Sequence, residues 1–107
     1  MFKLIRDNIP DLMAASGQPL NYAAAQDEAF IQTLLRGKLI EEVNEYLNSG
    51  DDIAELVDVC TVIDYIIGDR KDAFREAYDK KLAEYGGFEK KYIGFFADPV
   101  ESGQTNN

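Results

Sequence analysis

Five acidic residues in two neighbouring stretches of the chain have types and spacings that suit metal-dependent chemistry. Glu41, Glu42 and Glu45 lie in "KLIEEVNEYL", and Glu55 and Asp58 follow in "IAELVDVC". Side chains three or four residues apart share one face of an α-helix. Each stretch therefore presents acids one turn apart, and clustered carboxylates of this kind are typical ligands of hard divalent cations.

Four of the five acids lie in or beside the apolar stripe of their helix, and the other, Glu41, lies further round toward solvent. Leu39 follows Leu35 by four residues and Glu42 follows it by seven, so all three belong to one helical stripe. Glu55 heads a similar stripe that continues with Val59. Burying like charges together costs on the order of several kcal/mol unless the acids are protonated, paired with Lys or Arg, or bound to a cation.

The ligand chemistry favours Mg²⁺, with Mn²⁺ as a possible substitute. The chain has no histidine, which excludes most zinc sites, Ser-His-Asp chemistry and imidazole acid–base catalysis. An all-oxygen ligand set suits Mg²⁺ or Mn²⁺, and substrate phosphates usually complete a magnesium site. Lys38, one turn before Glu42, is able to neutralise one acid but not four. The alternative is that the acids fan out as solvated surface charges.

The composition limits which partners and which cellular compartment we expect for the protein. The net charge is −9, with 20 acidic and 11 basic residues and no basic cluster, so a nucleic-acid polymer is not an expected partner. Cys60 is the single cysteine, and we expect it to be a small core residue in a reducing compartment. The sequence shows no signal peptide and no apolar run that would span a bilayer, so we expect a cytoplasmic protein without membrane contact.

Caps and stop signals predict four helices. The first follows Asp7 or Asn8 and ends at Gly17, and the others run from Asp27 to about Leu47, from Asp51 or Asp52 to about Ile67, and from about Lys71 to Tyr85. The short break at 48–52 predicts antiparallel packing of the second and third helices, which brings the acids together. We therefore expect an all-α fold, a small antiparallel helical bundle with short extended or irregular N- and C-terminal segments. Residues 1–97 are expected to form a single domain, and 98–107 a polar, disordered tail.

The same acids carry a family resemblance. "EEVNE" followed by "ELVD" matches the Glu-Glu-x-x-Glu … Glu-x-x-Asp signature of the MazG-type all-α nucleoside triphosphate pyrophosphohydrolases. The flanking "KLIRDNIPDLM" and "YGGFEKKYI" resemble the phosphoribosyl-ATP pyrophosphohydrolase-like branch. The resemblance covers about residues 3 to 93. It departs from the branch at Tyr85, where an Arg is frequent, and in the short spacer between the acid motifs.

The resemblance implies a MazG-like domain over 1–97 and a Mg²⁺-dependent activity. A water would attack the α-phosphorus of a nucleoside triphosphate or related nucleotide, giving a nucleoside monophosphate and pyrophosphate. By the same carry-over, Glu42, Glu45, Glu55 and Asp58 are the expected metal ligands. Glu41 and Glu42 are the expected catalytic residues, Glu41 as an acid that orients the water.

The expected substrate contacts are cations near these motifs, each of which also reads as an ordinary surface charge. They are Lys3, Arg6, Lys38, Lys90 and Lys91. Four aromatic residues after the third long helix are able to stack a base, although packing on the bundle or on a partner subunit explains them as well. They are Phe88, Tyr92, Phe95 and Phe96.

Two other functions stay open. A non-catalytic acidic helical module for nucleotide sensing or dimerisation would retain the bundle without hydrolysis. Phosphoribosyl-ATP hydrolysis proper would use the same chemistry on one particular substrate. Whichever of these functions holds, we expect a homodimer or a dimer of dimers, because long apolar helices in so short a chain leave surface to cover.

Overall fold

The structure, a computed structural model, describes residues 2–97. Four α-helices make up its regular structure, and this range contains no strand. They are α1 (Ile9–Ala15), α2 (Glu28–Asn48), α3 (Ile53–Ile67) and α4 (Lys71–Tyr85). The predicted all-α class is confirmed for the described residues. The prediction of a disordered tail at 98–107 lies outside them.

The helix ends follow from local side chains. Asn8 precedes α1 and Pro10 lies in its first turn, where the missing N–H costs nothing. Asp27 before α2 and Asp52 before α3 each accept a hydrogen bond from a backbone N–H of the first turn, at 3.0 and 2.9 Å. Such caps satisfy donors that the helix itself leaves free. The predicted starts of these helices are thereby confirmed.

Helices α2 and α3 form a hairpin and the principal helix–helix contact of the described chain. Residues 49–52 join them, and Gly50 and Asp51 both adopt left-handed backbone angles, with φ of 74° and 73°. The hydroxyl of Tyr46 donates a hydrogen bond to Asp51 Oδ1 at 2.6 Å. This bond ties the last turns of α2 to the loop and fixes where the chain reverses.

The described residues divide into two compact units within α4, on either side of the bond between Asp72 and Ala73. The first unit contains α1, α2 and α3. The second contains most of α4 and the irregular segment that follows it to residue 97. The single domain expected over 1–97 stays a prediction.

Little apolar surface is buried. Leu35 of α2 and Val62 of α3 are the two buried apolar side chains between residues 2 and 97, at 5% and 8% exposure. Both belong to the stripes predicted for the hairpin contact. Because 46% of the residues are hydrophobic, much apolar surface remains uncovered in the single chain.

One face of α3 carries exposed apolar side chains. Ile53, Leu56, Val57 and Cys60 line an open groove of about 230 Å³ together with Thr61 and Asp64. The expectation that Cys60 is a core residue is wrong, because Cys60 is exposed. Among residues 2–97, no helix combines the length and the apolar character needed to cross a bilayer.

Candidate functional site

Five carboxylates converge where the last turns of α2 meet the first turns of α3. Glu42 is buried, at 6% exposure, in the same stripe as Leu35. Glu55 and Asp58 of α3 are partly buried opposite it, whereas Glu45 is exposed. The fifth, Glu41, is also partly buried, so the prediction that it lies toward solvent is wrong. The helical repeat positions the acids, and the short α2–α3 loop brings the two sets together.

The carboxylates form two groups that share Glu42. One oxygen from each of Glu41, Glu42 and Glu45 lies within 4.8 Å of the others. The same limit holds for Glu42, Glu55 and Asp58. Opposite ligand oxygens around Mg²⁺ are about 4.2 Å apart, twice the Mg–O distance. Small side-chain rotations are therefore enough to bring either group to ligand distance of one cation.

Two buried oxygens in this cluster have no protein partner. Glu42 Oε1 and Glu55 Oε1 accept no hydrogen bond from any of the described residues. Leaving a buried acceptor unsatisfied costs about 1–3 kcal/mol, and more when the group is charged. A divalent cation would satisfy both oxygens, so the residues present fit a site for Mg²⁺ or Mn²⁺.

Lys38 offsets part of the negative charge from within α2. Its Nζ lies 3.2 Å from Glu41 Oε1 and 3.2 Å from Glu42 Oε2. The lysine side chain is only 17% exposed, so solvent screens these pairs less than ordinary surface pairs. One ammonium group thus serves two carboxylates, as its position one turn before Glu42 suggests.

Two further cations reach the cluster from the segment before α1. Lys3 Nζ lies 2.8 Å from Glu41 Oε2, and an Arg6 guanidinium N–H donates to Asp58 Oδ1 at 2.7 Å. Both residues are predicted substrate contacts, and nothing in the sequence indicates that they pair with the acids. The periodicity of a helix carries no signal for such contacts, because the partners are 38 and 52 positions apart.

Neighbouring charges shift the pKa values of two acids of the cluster in opposite directions. The hydrogen bond from Lys3 lowers the pKa of Glu41, and Lys38 adds to the effect. The negative charge of Glu42 raises the pKa of Glu45, which has no cationic partner among the described residues. The pKa of Lys3 is raised in turn by its hydrogen bond to Glu41. The arrangement can thus hold both ionised carboxylates and positive charge at one place.

The other predicted contacts lie elsewhere in the chain. Lys90 and Lys91 belong to the second unit and are exposed, and their role as substrate contacts stays a prediction. The ammonium group of Lys90 lies 5.8 Å from the ring centroid of Tyr92. The aromatic side chains of Phe88, Tyr92, Phe95 and Phe96 are exposed as well.

Comparisons of the chain with protein-family models, with curated proteins and with solved structures find no match. Membership of the MazG-type enzymes therefore stays a prediction that rests on the sequence motifs.

Proposed function

We propose that the protein is a Mg²⁺-dependent nucleotide pyrophosphohydrolase that cleaves the α–β phosphoanhydride of a nucleoside triphosphate or a related nucleotide. The observation that carries this proposal is Glu42, a buried acid whose Oε1 has no partner among the described residues although four other carboxylates surround it. Such an arrangement is costly in a metal-free protein and favourable around a divalent cation.

Glu42, Glu45, Glu55 and Asp58 would hold the cation in this proposal. When bound, Mg²⁺ supplies positive charge to the phosphate oxygens and makes a water molecule more acidic. Mn²⁺ offers the same preference for oxygen ligands.

Glu41 is suited to orient the attacking water. In the metal-free protein Lys3 and Lys38 lower the pKa of its carboxyl group, which favours the ionised form. An ionised carboxylate would accept a hydrogen bond from the attacking water once a cation leaves one of its oxygens. Attack would form a bond between the water oxygen and the α-phosphorus and break the bond to the bridging oxygen, which leaves with pyrophosphate. The proton that the water loses is released to solvent. Lys38, whose Nζ lies 3.2 Å from Glu41 Oε1, places a cationic group of α2 beside this carboxylate.

The substrate-binding role of the cations follows from charge. Lys3, Arg6 and Lys38 place positive groups at the rim of an acidic cluster, and a cation-bridged polyphosphate needs both kinds of group. Lys90 and Lys91 are further candidates. The strongly acidic composition disfavours a nucleic-acid polymer, and the single cysteine agrees with a cytoplasmic location.

We also propose that two copies of the chain associate as a homodimer, which is able to pair further into a dimer of dimers. A chain that buries two apolar side chains within residues 2–97 while exposing the α3 groove gains from covering that surface. A second copy of the same face is the simplest complement.

The test is pyrophosphate release from a panel of canonical, deoxy and modified nucleoside triphosphates, with Mg²⁺ and with EDTA. Glu42→Gln should reduce metal-dependent release by more than about 100-fold, since it removes a shared ligand. The matched control is Glu76→Gln, the same substitution at an exposed position of α4, and it should release pyrophosphate like the wild type.

Denaturant unfolding in EDTA shows whether Glu42→Gln keeps its fold. Removing a repelled buried charge should leave the free energy of unfolding unchanged or raise it. Release that persists in EDTA, or that Glu76→Gln reduces equally, would count against the proposal. Tight nucleotide binding without any product would favour the sensing module instead.

A further inference from the structure

Residues 3–6, here called the N-terminal strap, join the two helices of the hairpin at the acidic cluster. Lys3 contacts Glu41 of α2 at 2.8 Å, and Arg6 contacts Asp58 of α3 at 2.7 Å. The two residues between them are partly buried. A segment without helix or strand structure therefore places one cation on each helix, and each cation holds an acid that belongs to one of the two carboxylate groups.

The cluster keeps a negative charge in this arrangement. Five carboxylates face three cations, the strap residues and Lys38, which leaves a net charge of −2. Lys38 is largely buried and fixed on α2, whereas the side chains of Lys3 and Arg6 are 57% and 55% exposed. Exposed ion pairs are weak and easily exchanged, so the strap cations are the ones that are able to leave.

We propose that the strap is an exchangeable counterion of the site. In the metal-free protein Lys3 pairs with Glu41 and Arg6 pairs with Asp58. A divalent cation that binds Asp58 and the other ligand carboxylates would displace Arg6 directly, and its charge would repel Lys3 from the neighbouring Glu41. The displaced cations then lie beside the bound metal without an acidic partner, where the phosphates of a nucleotide replace the lost carboxylates. This inference rests on the proposed function, because it takes the cluster to be a divalent-cation site.

The physical reason is competition for the same oxygens. Asp58 Oδ1 accepts the Arg6 hydrogen bond, and Asp58 also belongs to the group that closes around Glu42 and Glu55. A metal and a guanidinium group at one carboxylate repel each other, which favours release of the more exposed and more weakly held cation. An anionic phosphate removes that repulsion by binding both.

Opposite effects on metal and nucleotide binding would distinguish exchange from a merely structural role. Replacing Lys3 or Arg6 with Met keeps an unbranched apolar stem and removes the charge. Under exchange, either variant binds Mg²⁺ more tightly because a competitor is gone, and binds nucleotide more weakly because a phosphate contact is gone. A segment that only holds the fold together would weaken both equilibria when it is damaged.

Titration calorimetry of the full chain measures both effects. We expect Lys3→Met and Arg6→Met to lower the Kd for Mg²⁺ by about two- to fivefold, the range for loss of one exposed ion pair. Both should raise the Kd for a non-hydrolysable nucleoside triphosphate at saturating Mg²⁺. Arg36→Met is the matched control, since Arg36 is an exposed cation of α2 outside the ion pairs found among the described residues.

A second readout follows the strap directly in the wild type. In ¹⁵N–¹H spectra, the Arg6 Nε–Hε signal should shift when Mg²⁺ saturates the protein and stay in place with K⁺ at equal ionic strength. Arg75 is the internal control, because it pairs with Asp79 of α4 at 3.3 Å. Its signal should not respond to Mg²⁺.

The outcomes separate the two proposals. If Mg²⁺ binds the wild type and not Glu42→Gln, but the strap variants match the wild type and the Arg6 signal does not move, the strap inference is overturned and the metal site stands. Weaker Mg²⁺ binding by Lys3→Met also overturns the strap inference. If the wild type binds no Mg²⁺, the proposed function fails and the strap inference fails with it.

Discussion

Glu41 and Glu45 show how strongly neighbouring charged side chains determine the pKa of a carboxyl group. They lie one turn apart on α2, yet the pKa of Glu41 is lowered by the hydrogen bond from Lys3 and the pKa of Glu45 is raised by the charge of Glu42. The sequence places Glu45 at the edge of the apolar stripe and Glu41 further toward solvent, which does not predict these shifts. The difference comes from cations that reach one acid and not the other.

A pH-dependent stability difference should follow from Glu45. Its raised pKa means that the charged form is disfavoured in the folded protein, so its destabilising effect is absent at low pH and grows as the pH rises through the folded-state pKa. In EDTA, Glu45→Gln should therefore raise the Tm at pH 7. The increase should vanish below about pH 4, where both states are protonated.

Thermal unfolding at a series of pH values measures this difference, with Glu76→Gln as a variant that should show no such trend. A Tm difference for Glu45→Gln that is constant between pH 4 and pH 7 would contradict the assignment of repulsion as its cause.

The sequence of helix α2 predicts its start, its length and its buried face, and one glycine within it does not fit. Its cap, its length and its apolar stripe follow from the sequence, and its buried residues Leu35 and Glu42 belong to that stripe. Gly37 is the exception within it, since a glycine weakens the middle of a helix and a Cβ there would meet nothing within 4 Å. Residues 2–97 of the single chain give no packing reason for this glycine.

Gly37→Ala should raise the free energy of unfolding by about 0.5–1 kcal/mol, the difference in helix propensity between the two residues. Gly50→Ala provides the contrast, because Gly50 has a φ of 74° and an L-residue there costs about 1 kcal/mol or more. Denaturant unfolding of both variants measures the effects. Destabilisation by Gly37→Ala would be the informative failure, since it would mean that another chain packs closely against this turn.

At the scale of the whole molecule, uncovered apolar surface dominates the single chain. Packing of α2 on α3 buries Leu35, Glu42 and Val62, and the residues that line the α3 groove are different ones. Exposed apolar patches of this kind mark association surfaces. The chain is therefore expected to be stable mainly as an assembly, with its measured stability dependent on protein concentration.

Val57→Glu tests this expectation. Val57 lines the α3 groove and is exposed in the single chain, so an acid there should perturb a monomer little and an interface strongly. Sedimentation should give a dimer or larger for the wild type and a lower mass for the variant. Thr33→Glu adds the same charge at an exposed polar position of α2 and should leave the mass unchanged. A monomeric wild type at micromolar concentration would exclude the dimer.

The structural features that depend on residues close together in the chain are predictable from the sequence. The helices, their caps and the convergence of Glu42 with Glu55 follow from periodicity and one short loop. The pairing of Lys3 and Arg6 with the acids did not follow, because it depends on how a segment without regular structure crosses the hairpin. The exposure of Cys60 did not follow either, because an apolar run that continues around α3 gives no sign that the face outside the predicted contact stripe is exposed.

The position of Cys60 makes the groove chemically observable. It is the single thiol in the sequence, and it lies exposed among the residues that line the α3 groove. The rate of its alkylation by a maleimide therefore reports how open that face is, without any substitution in the protein. If a second copy covers the groove, labelling slows as protein concentration rises, and the concentration at which the rate halves gives the strength of the association.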